Sequence, residues 1–350
     1  MQQHTPRGHS GGNVIPLNAS MLDGYDRQQI EQAVRSIVRN VRFEFLEQEH
    51  AIRLLGPDMY YHALDPHLPA ALKRFDSQIG MDDILSYRSQ GKLFDLCFED
   101  SWSGFLIADH LRRSRQTDNL VIIHLDDHTD MMSTLLECSP EGVLADPTTG
   151  KPFDPKTPAD WEDGIYSGSV GIGCFVTPFY FASWRTHVRH LNNAADASAR
   201  SYGVIKKPRS YELISTKCFA AIQLSDLDEA ADAGSYMVSS RCENVLDDLP
   251  CGRVIVHVDL DYLVNDFNGN PRDGIYIPTL ALIEDGHRKL DRFFQVLDTR
   301  RVSVDRWIIA TSPGFCSACH WASLLDAFAD KIHRYNYAYR PPAGWFASGH

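Results

Sequence analysis

From about residue 92, short apolar runs rich in β-branched residues alternate with segments whose apolar residues recur at helical spacing. The runs cover residues 93–98, 120–125, 219–224, 254–258 and 307–310. Runs that are apolar throughout are typical of parallel strands buried on both faces. Helical patterns lie between them, for example over residues 280–297 and 321–332. This alternation predicts an α/β fold with a doubly wound, mainly parallel sheet and helices on both faces.

The first 90 residues have a different pattern. Residues 1–20 are rich in Gly, Ser, Asn and Gln, and we predict a mobile N-terminus there. Between Asp26, a good N-cap residue, and Gly56, a good stop signal, apolar residues recur at helical spacing. They are Ile30, Val34, Ile37, Val38, Val41 and Phe45. The pattern predicts one long amphipathic helix within an N-terminal helical extension over residues 21–90, followed by a main domain over residues 91–350.

Residues 146–160, DPTTGKPFDPKTPAD, carry four prolines directly after the second predicted strand region. Proline removes a backbone donor and fixes φ, so we predict a loop here that continues neither a strand nor a helix. A long loop beside the end of a parallel strand is a candidate lid.

Charge and composition narrow the range of partners. The chain has 34 Lys and Arg against 46 Asp and Glu, a net charge of −12, and no long basic tract. These features argue against a nucleic-acid partner. No stretch approaches about 18 consecutive apolar residues, and the N-terminus lacks the apolar core of a signal peptide. We therefore expect a cytoplasmic protein with no membrane partner.

The eight cysteines are too scattered to predict a disulfide framework. Residues 316–320, CSACH, match the pattern of covalent haem attachment and half of a zinc site. No second C-x-x-C completes a zinc site, and haem attachment takes place outside the cytoplasm. Packed thiols and a histidine at the start of a helix are therefore the favoured interpretation.

Acidic residues follow two of the predicted strands. Asp126, His128 and Asp130 come after the run 120–125, and Asp259 and Asp261 come after the run 254–258. In an open parallel sheet, ligands bind beyond the carboxyl ends of the strands. Alternation along an extended chain places the members of each motif on one side. Four carboxylates brought together would repel one another, and divalent cations would remove that repulsion.

The alternative is that these aspartates cap turns or helices in solvent. His124 and His257, two positions before the first aspartate of each motif, are either core histidines or contacts of the metal ligands.

Five segments carry a resemblance to a known family. They are FEDSW, HLDDHTDM, VGIGCFVTPF, VHVDLDYL and TSPGFC, and they occur in this order within residues 93–320. The sequence resembles the arginase and ureohydrolase superfamily, and within it the peptide arginases, which convert arginine side chains of ribosomally made peptides to ornithine. The resemblance implies an arginase-deacetylase-like fold and a metallohydrolase domain over residues 91–350.

The resemblance also implies a cluster of two Mn²⁺ ions. Asp126 and Asp259 would bridge the ions, His128 and Asp261 would complete one site, and Asp130 would complete the other. Carboxylate-rich ligation also favours Mn²⁺ over Zn²⁺.

One ligand position departs from the family pattern. Members of the family have a histidine in the turn after an earlier strand, where this chain has Glu99, Asp100 and Ser101. Asp100 or Glu99 takes its place, water fills the gap, or only one ion binds tightly. Asp100 is our candidate ligand.

The function implied is manganese-dependent hydrolysis of the guanidino group of peptidyl arginine to ornithine and urea, with Asp130 passing a proton to the leaving amine. The partner would be an arginine-containing precursor peptide. One alternative is a small-molecule ureohydrolase acting on arginine, agmatine or a similar guanidino compound. Another is a non-catalytic metal-binding or peptide-binding protein. A homo-oligomer is compatible with the sequence.

Overall fold

The structure, a computed structural model, describes residues 14–114, 118–226, 233–267, 269 and 280–338. The strands are β1 (Ile15–Pro16), β2 (Val41–Leu46), β3 (Ala51–Pro57), β4 (Arg88–Gln90), β5 (Asp95–Cys97), β6 (Asn119–Leu125), β7 (Glu137–Cys138), β8 (Leu144–Ala145), β9 (Pro152–Phe153), β10 (Arg185–Leu191), β11 (Arg200–Lys206), β12 (Arg209–Tyr211), β13 (Ile214–Phe219), β14 (Ile222–Ser225), β15 (Gly234–Ser239), β16 (Arg253–Asp259) and β17 (Arg306–Ala310). The α-helices are α1 (Arg27–Ile37), α2 (Leu68–Phe75), α3 (Ser101–Arg113), α4 (Pro158–Ser167), α5 (Cys242–Val245), α6 (Leu280–Arg300) and α7 (Trp321–Ala338).

A nine-stranded sheet forms the centre of the fold, in the order β14-β11-β15-β10-β6-β16-β17-β5-β4. The six strands from β15 to β5 are parallel to their neighbours. Antiparallel strands β14, β11 and β4 close its two edges. The predicted α/β class with a mainly parallel sheet is therefore confirmed.

Both faces of this sheet are covered by helices. Val121 and Ile123 of β6 belong to one apolar cluster, together with residues of α6 and α7. Leu120 and Ile122 belong to the opposite cluster, together with residues of α3 and α4. Side chains alternate between the two faces of a strand, and burial on both faces explains why the run 120–125 is apolar throughout. Each of these four side chains is fully buried.

The prediction of one long helix after Asp26 is wrong. Helix α1 begins as predicted, with a capping box between Asp26 and Gln29, but it ends at Ile37. Asn40 then adopts a left-handed conformation with φ 55°. The following segment pairs as the antiparallel strands β2 and β3. Apolar residues at 41, 43 and 45 fit the two-residue period of a strand, and tertiary pairing selects that period over the helical one.

The N-terminal segment is consequently mixed rather than purely helical. Strands β1, β3 and β2 form a three-stranded sheet that packs with α1. Residues 1–13 of the predicted mobile N-terminus lie outside the described residues, and residues 14–20 include β1 and the start of a short 3-10 turn.

Two shorter predictions also change. The apolar run 219–224 is not one buried parallel strand, because β13 ends at Phe219 and the antiparallel edge strand β14 begins at Ile222. The segment 146–160 is not entirely loop. It contains β9, and α4 begins at Pro158. Proline is tolerated in the first turn of a helix because the backbone N–H that it lacks would make no helical hydrogen bond there. A further five-stranded antiparallel sheet has the order β12-β13-β7-β8-β9.

None of the described helices is both long enough and apolar enough to cross a membrane.

Close packing of α3 on α4 can be tested at Gly104. A Cβ at this position would overlap the indole ring of Trp161, a fully buried side chain. We expect Gly104→Ala to lower the free energy of unfolding by about 1–3 kcal/mol in urea denaturation, because overpacking outweighs the better helix propensity of alanine. Gly171→Ala is the matched control, since its added Cβ would meet open space. Equal stability of the two variants would contradict this packing.

Candidate metal centre

The two acidic motifs meet at one edge of the central sheet. Strands β6 and β16 are parallel neighbours, with Leu125 paired to Val258. Asp126 directly follows β6, and Asp259 is the last residue of β16. Asp100 directly precedes α3, shortly after the end of β5 in the same sheet. The register of the parallel strands therefore gathers carboxylates from three chain segments at their carboxyl ends.

Asp126, His128 and Asp261 form the first group, with potential ligand atoms all within 4.8 Å of one another. His128 Nδ1 lies 2.9 Å from Asp261 Oδ2 and 3.5 Å from Asp126 Oδ1. The backbone N–H of His128 donates to Asp126 Oδ1 at 2.5 Å. Both carboxylates are buried, whereas the side chain of His128 is 40% exposed. The group therefore opens towards solvent at the imidazole.

Asp100, Asp126 and Asp259 form the second group, again within 4.8 Å and entirely buried. The Ser312 hydroxyl donates to Asp259 Oδ2. Ser312 has φ 49°, a left-handed conformation that is uncommon for serine and that is a recurrent feature of functional sites. The two groups share Asp126, so five of the six predicted ligands come together around one carboxylate.

Asp130, the sixth predicted ligand, lies beside these two groups rather than within them. It is buried, and its Oδ2 is 3.5 Å from Nε2 of His124. Its backbone is left-handed, with φ 50°, which aspartate tolerates better than most residues. The Asp130 side chain lines the same cleft as the other aspartates.

The structure adds two histidines to this centre. His124 and His257 are paired across β6 and β16, are fully buried, and form a third potential metal-binding group with Asp126. His257 Nε2 lies 2.8 Å from Asp100 Oδ1, so it contacts a carboxylate of the second group. Their position two residues before each motif was the available sequence signal, but it could not distinguish these contacts from ordinary burial.

Of the two carboxylates considered for the turn after β5, Glu99 already has protein partners. Its Oε2 accepts a hydrogen bond from Tyr61 at 2.9 Å, and its Oε1 contacts His62 Nε2. Asp100 is the one that joins Asp126 and Asp259 in a potential metal-binding group. The geometry therefore favours Asp100 over Glu99 as a candidate ligand.

A cleft of about 410 Å³ opens above these carboxylates. Its polar lining includes Glu99 and the aspartates 100, 127, 130, 259 and 261. Tyr61, Met132, Ile172 and Phe315 supply apolar wall. Asn40 and Tyr61 come from the N-terminal segment, a contribution that no sequence motif indicated. None of the lining residues that the structure describes is Lys or Arg, and none comes from the segment 146–160.

Burial and mutual repulsion dominate the electrostatics of the centre. Burial first, and then the charges of Asp130, Asp261 and Asp259, raise the pKa of Asp126 well above its usual range. The pKa values of Asp100, Asp130 and Asp259 are raised for the same kinds of reason. Burial opposes protonation of His128, but hydrogen bonds with Asp126 and Asp261 outweigh it and raise its pKa to about 11. The centre attracts positive charge, and a cation coordinated by these oxygens would satisfy that requirement.

Two buried oxygens support the fit to a metal ion. Asp126 Oδ2 and Asp130 Oδ2 accept no hydrogen bond within the part of the chain that the structure describes. Buried polar atoms are normally paired, and a cation bound among these carboxylates would provide a partner for both oxygens. The buried Asp and His groups could therefore hold metal.

The cysteine motif lies apart from these groups. Cys316 is buried and Cys319 is exposed. His320 Nε2 lies 3.3 Å from Asp266 Oδ2. Across the described ranges, none of the three potential metal-binding groups includes a residue of this motif.

In comparisons with known proteins, no family model matched the chain and no curated protein matched it.

The raised carboxyl pKa values predict an unusual pH dependence for the metal-free protein. A carboxyl group whose pKa is higher in the folded state binds protons more tightly there, so stability falls as pH rises above the normal aspartate range. We expect chelator-treated protein to have a higher Tm at pH 6 than at pH 8. Mn²⁺ should raise Tm more at pH 8, because the ligands must be ionised to bind it. Differential scanning fluorimetry measures both effects.

The control for this prediction is Asp126→Asn, which removes the shared charge. It should reduce both the pH dependence of the metal-free protein and the stabilisation by Mn²⁺. A wild-type protein whose Tm is indifferent to Mn²⁺ at both pH values would contradict the metal centre.

Proposed function

We propose that this chain is a manganese-dependent hydrolase that converts the guanidino group of an arginine side chain in a peptide to ornithine and urea. The observation that carries the proposal is the cleft itself. Its floor is a cluster of buried carboxylates, its walls include apolar side chains, and none of its described lining residues is cationic. A guanidinium head on an aliphatic stem is complementary to such a cleft in charge and polarity.

The proposed fold is of the arginase-deacetylase type. A mainly parallel sheet, covered by helices on both faces, carries the motifs Asp126-x-His128-x-Asp130 and Asp259-x-Asp261 at neighbouring strand ends. This arrangement supports the resemblance inferred from the sequence.

The residues fit two divalent cations. Asp126, His128 and Asp261 would hold one ion, and Asp100, Asp126 and Asp259 would hold the other, with Asp130 beside them. Ligands dominated by carboxylate oxygens suit Mn²⁺. A bound pair of such ions would supply hydroxide at neutral pH for attack on a poorly electrophilic guanidino carbon.

The protein's own residues have three tasks in this reaction. The carboxylates facing the cleft orient the guanidinium through charge-assisted hydrogen bonds. Tyr61, Met132 and Phe315 exclude water around the aliphatic stem. Asp130 accepts a proton and passes it to the leaving amine, since its carboxylate lines the cleft.

The choice of a peptide substrate depends on how the far end of arginine would be recognised. Free arginine carries an α-carboxylate, which proteins usually bind with Arg or Lys. The described lining provides neither residue. In a peptide, an amide replaces this carboxylate, so no cationic partner is needed. Agmatine, which also lacks a carboxylate, is the second candidate for the same reason.

An assay with several substrates tests this proposal. Purified protein loaded with Mn²⁺ is incubated with free arginine, agmatine and arginine-containing peptides, while urea release is measured. We expect peptides to lose the mass of CH₂N₂ per modified arginine and free arginine to react slowly. Urea from agmatine alone would make the protein a small-molecule ureohydrolase. If no substrate releases urea, the proposed catalysis is wrong and a metal-binding or peptide-binding role replaces it.

Removal of the metal or of its shared ligand should abolish the activity. Asp126→Ala removes the carboxylate common to both groups, so we expect urea release to fall by at least about a thousandfold, within the range that loss of metal-assisted activation allows. Asp196→Asn serves as the control, because Asp196 is exposed and pairs with Arg200 away from the cleft. Chelation should inactivate the wild-type protein, and added Mn²⁺ should restore it. Full activity of the Asp126→Ala protein would show that the centre is misassigned.

A further inference from the structure

We propose that His124 is a metal ligand, and that its imidazole binds one cation of the cluster at the floor of the site, together with Asp126 and Asp130. The inference depends on the metal cluster of the proposed function but not on its substrate. His124 lies inside strand β6, two residues before the acidic motif, and its side chain has no exposed surface.

Three buried polar atoms without hydrogen-bond partners carry this inference. They are His124 Nε2, Asp126 Oδ2 and Asp130 Oδ2, and they have no partner in the part of the chain that is described. His124 Nε2 is 3.6 Å from Asp126 Oδ2 and 3.5 Å from Asp130 Oδ2. Ligands of one cation at metal–ligand distances of about 2.1 Å are separated by roughly 3.0–3.4 Å. The observed separations are close to this range.

A simple ion pair does not account for these separations. A protonated imidazole beside a carboxylate makes a charge-assisted hydrogen bond of about 2.7–2.9 Å. His124 Nε2 makes no such bond with either aspartate. A gap of this size between a buried nitrogen lone pair and two buried carboxylate oxygens is costly unless a cation fills it.

The contacts on the other side of the ring direct this lone pair towards the carboxylates. His124 Nδ1 lies 2.9 Å from His257 Nδ1, so one of the two nitrogens donates and the other accepts. His257 Nε2 lies 2.8 Å from Asp100 Oδ1 and 2.9 Å from Ser103 Oγ, and donation to Asp100 leaves its Nδ1 as an acceptor. His124 must then donate through Nδ1, which leaves Nε2 unprotonated and able to bind metal.

The two oxygens of Asp126 are divided between two histidines. Oδ1 faces the backbone N–H and Nδ1 of His128, whereas Oδ2 faces His124. A bridging carboxylate with a different imidazole beside each oxygen suits two cations, each with one nitrogen ligand. His257 then acts as a positioning residue, because it fixes the ring of His124 and contacts Asp100.

Metal content and nitrogen coupling test this inference without any substrate. Mn²⁺ bound per chain is measured by elemental analysis after gel filtration, and affinity is measured by calorimetry. We expect two ions in the wild-type protein. In the His124→Phe protein, we expect the second ion to bind at least about tenfold more weakly. The control is His190→Phe, which should keep two ions. His190 is equally buried and lies in the same row, but both of its ring nitrogens already have partners, Tyr236 and the carbonyl of Asp126.

A second measurement does not require the His124→Phe protein to fold. His128 is partly exposed, so His128→Ala should preserve the fold, and pulsed electron paramagnetic resonance of its bound Mn²⁺ should still detect coupling to one imidazole nitrogen. Absence of nitrogen coupling in this variant, or two ions bound at wild-type affinity by His124→Phe, would overturn the inference. These readouts are independent of urea release, so the substrate proposal and the ligand assignment can fail separately.

Discussion

Repulsion between buried carboxylates is the constraint on which the organisation of this protein depends. Asp100, Asp126, Asp259 and Asp261 are all nearly inaccessible to solvent and lie in overlapping groups. Two like charges about 4 Å apart repel by roughly 4 kcal/mol at an effective dielectric constant of 20. A domain is stable by only about 5–15 kcal/mol, so several such pairs are tolerable only with compensating positive charge. Protons can supply it in the metal-free protein, and bound divalent cations would supply it while the carboxylates stay ionised.

The apolar core holds these charges in place. Val121 and Ile123 on one face of β6, and Ile122 on the other, are fully buried. A shift of one residue in register would move each of these side chains into the opposite layer. The same register aligns His190, His124 and His257 across β10, β6 and β16. Packing of the sheet therefore determines both which carboxylates meet above its edge and which imidazoles lie beneath them.

The sequence predicted the features that depend on local pattern, namely the parallel strands and the position of Asp126 and Asp259 at strand ends. It failed at residues 41–57, where apolar spacing satisfies both the helical and the strand period, and pairing of β2 with β3 decides between them. It could not give His124 and His257 a role, because their contact depends on β6 and β16 being neighbours in the sheet. Strand order is a long-range property that a single sequence does not encode in any short segment.

The same limit explains why the sequence did not predict that the N-terminal segment contributes to the site. Tyr61 lines the cleft, and its hydroxyl donates to Glu99, which directly precedes Asp100. Gly314 has φ 84°, and a Cβ there would collide with the backbone carbonyl of Tyr61, so the loop after β17 is shaped to fit this segment. Glu99 is buried, and loss of its partners would leave an uncompensated carboxylate beside the candidate metal ligands. The N-terminal segment is therefore a structural part of the centre, because it supplies one wall of the cleft and partners for the residue next to Asp100.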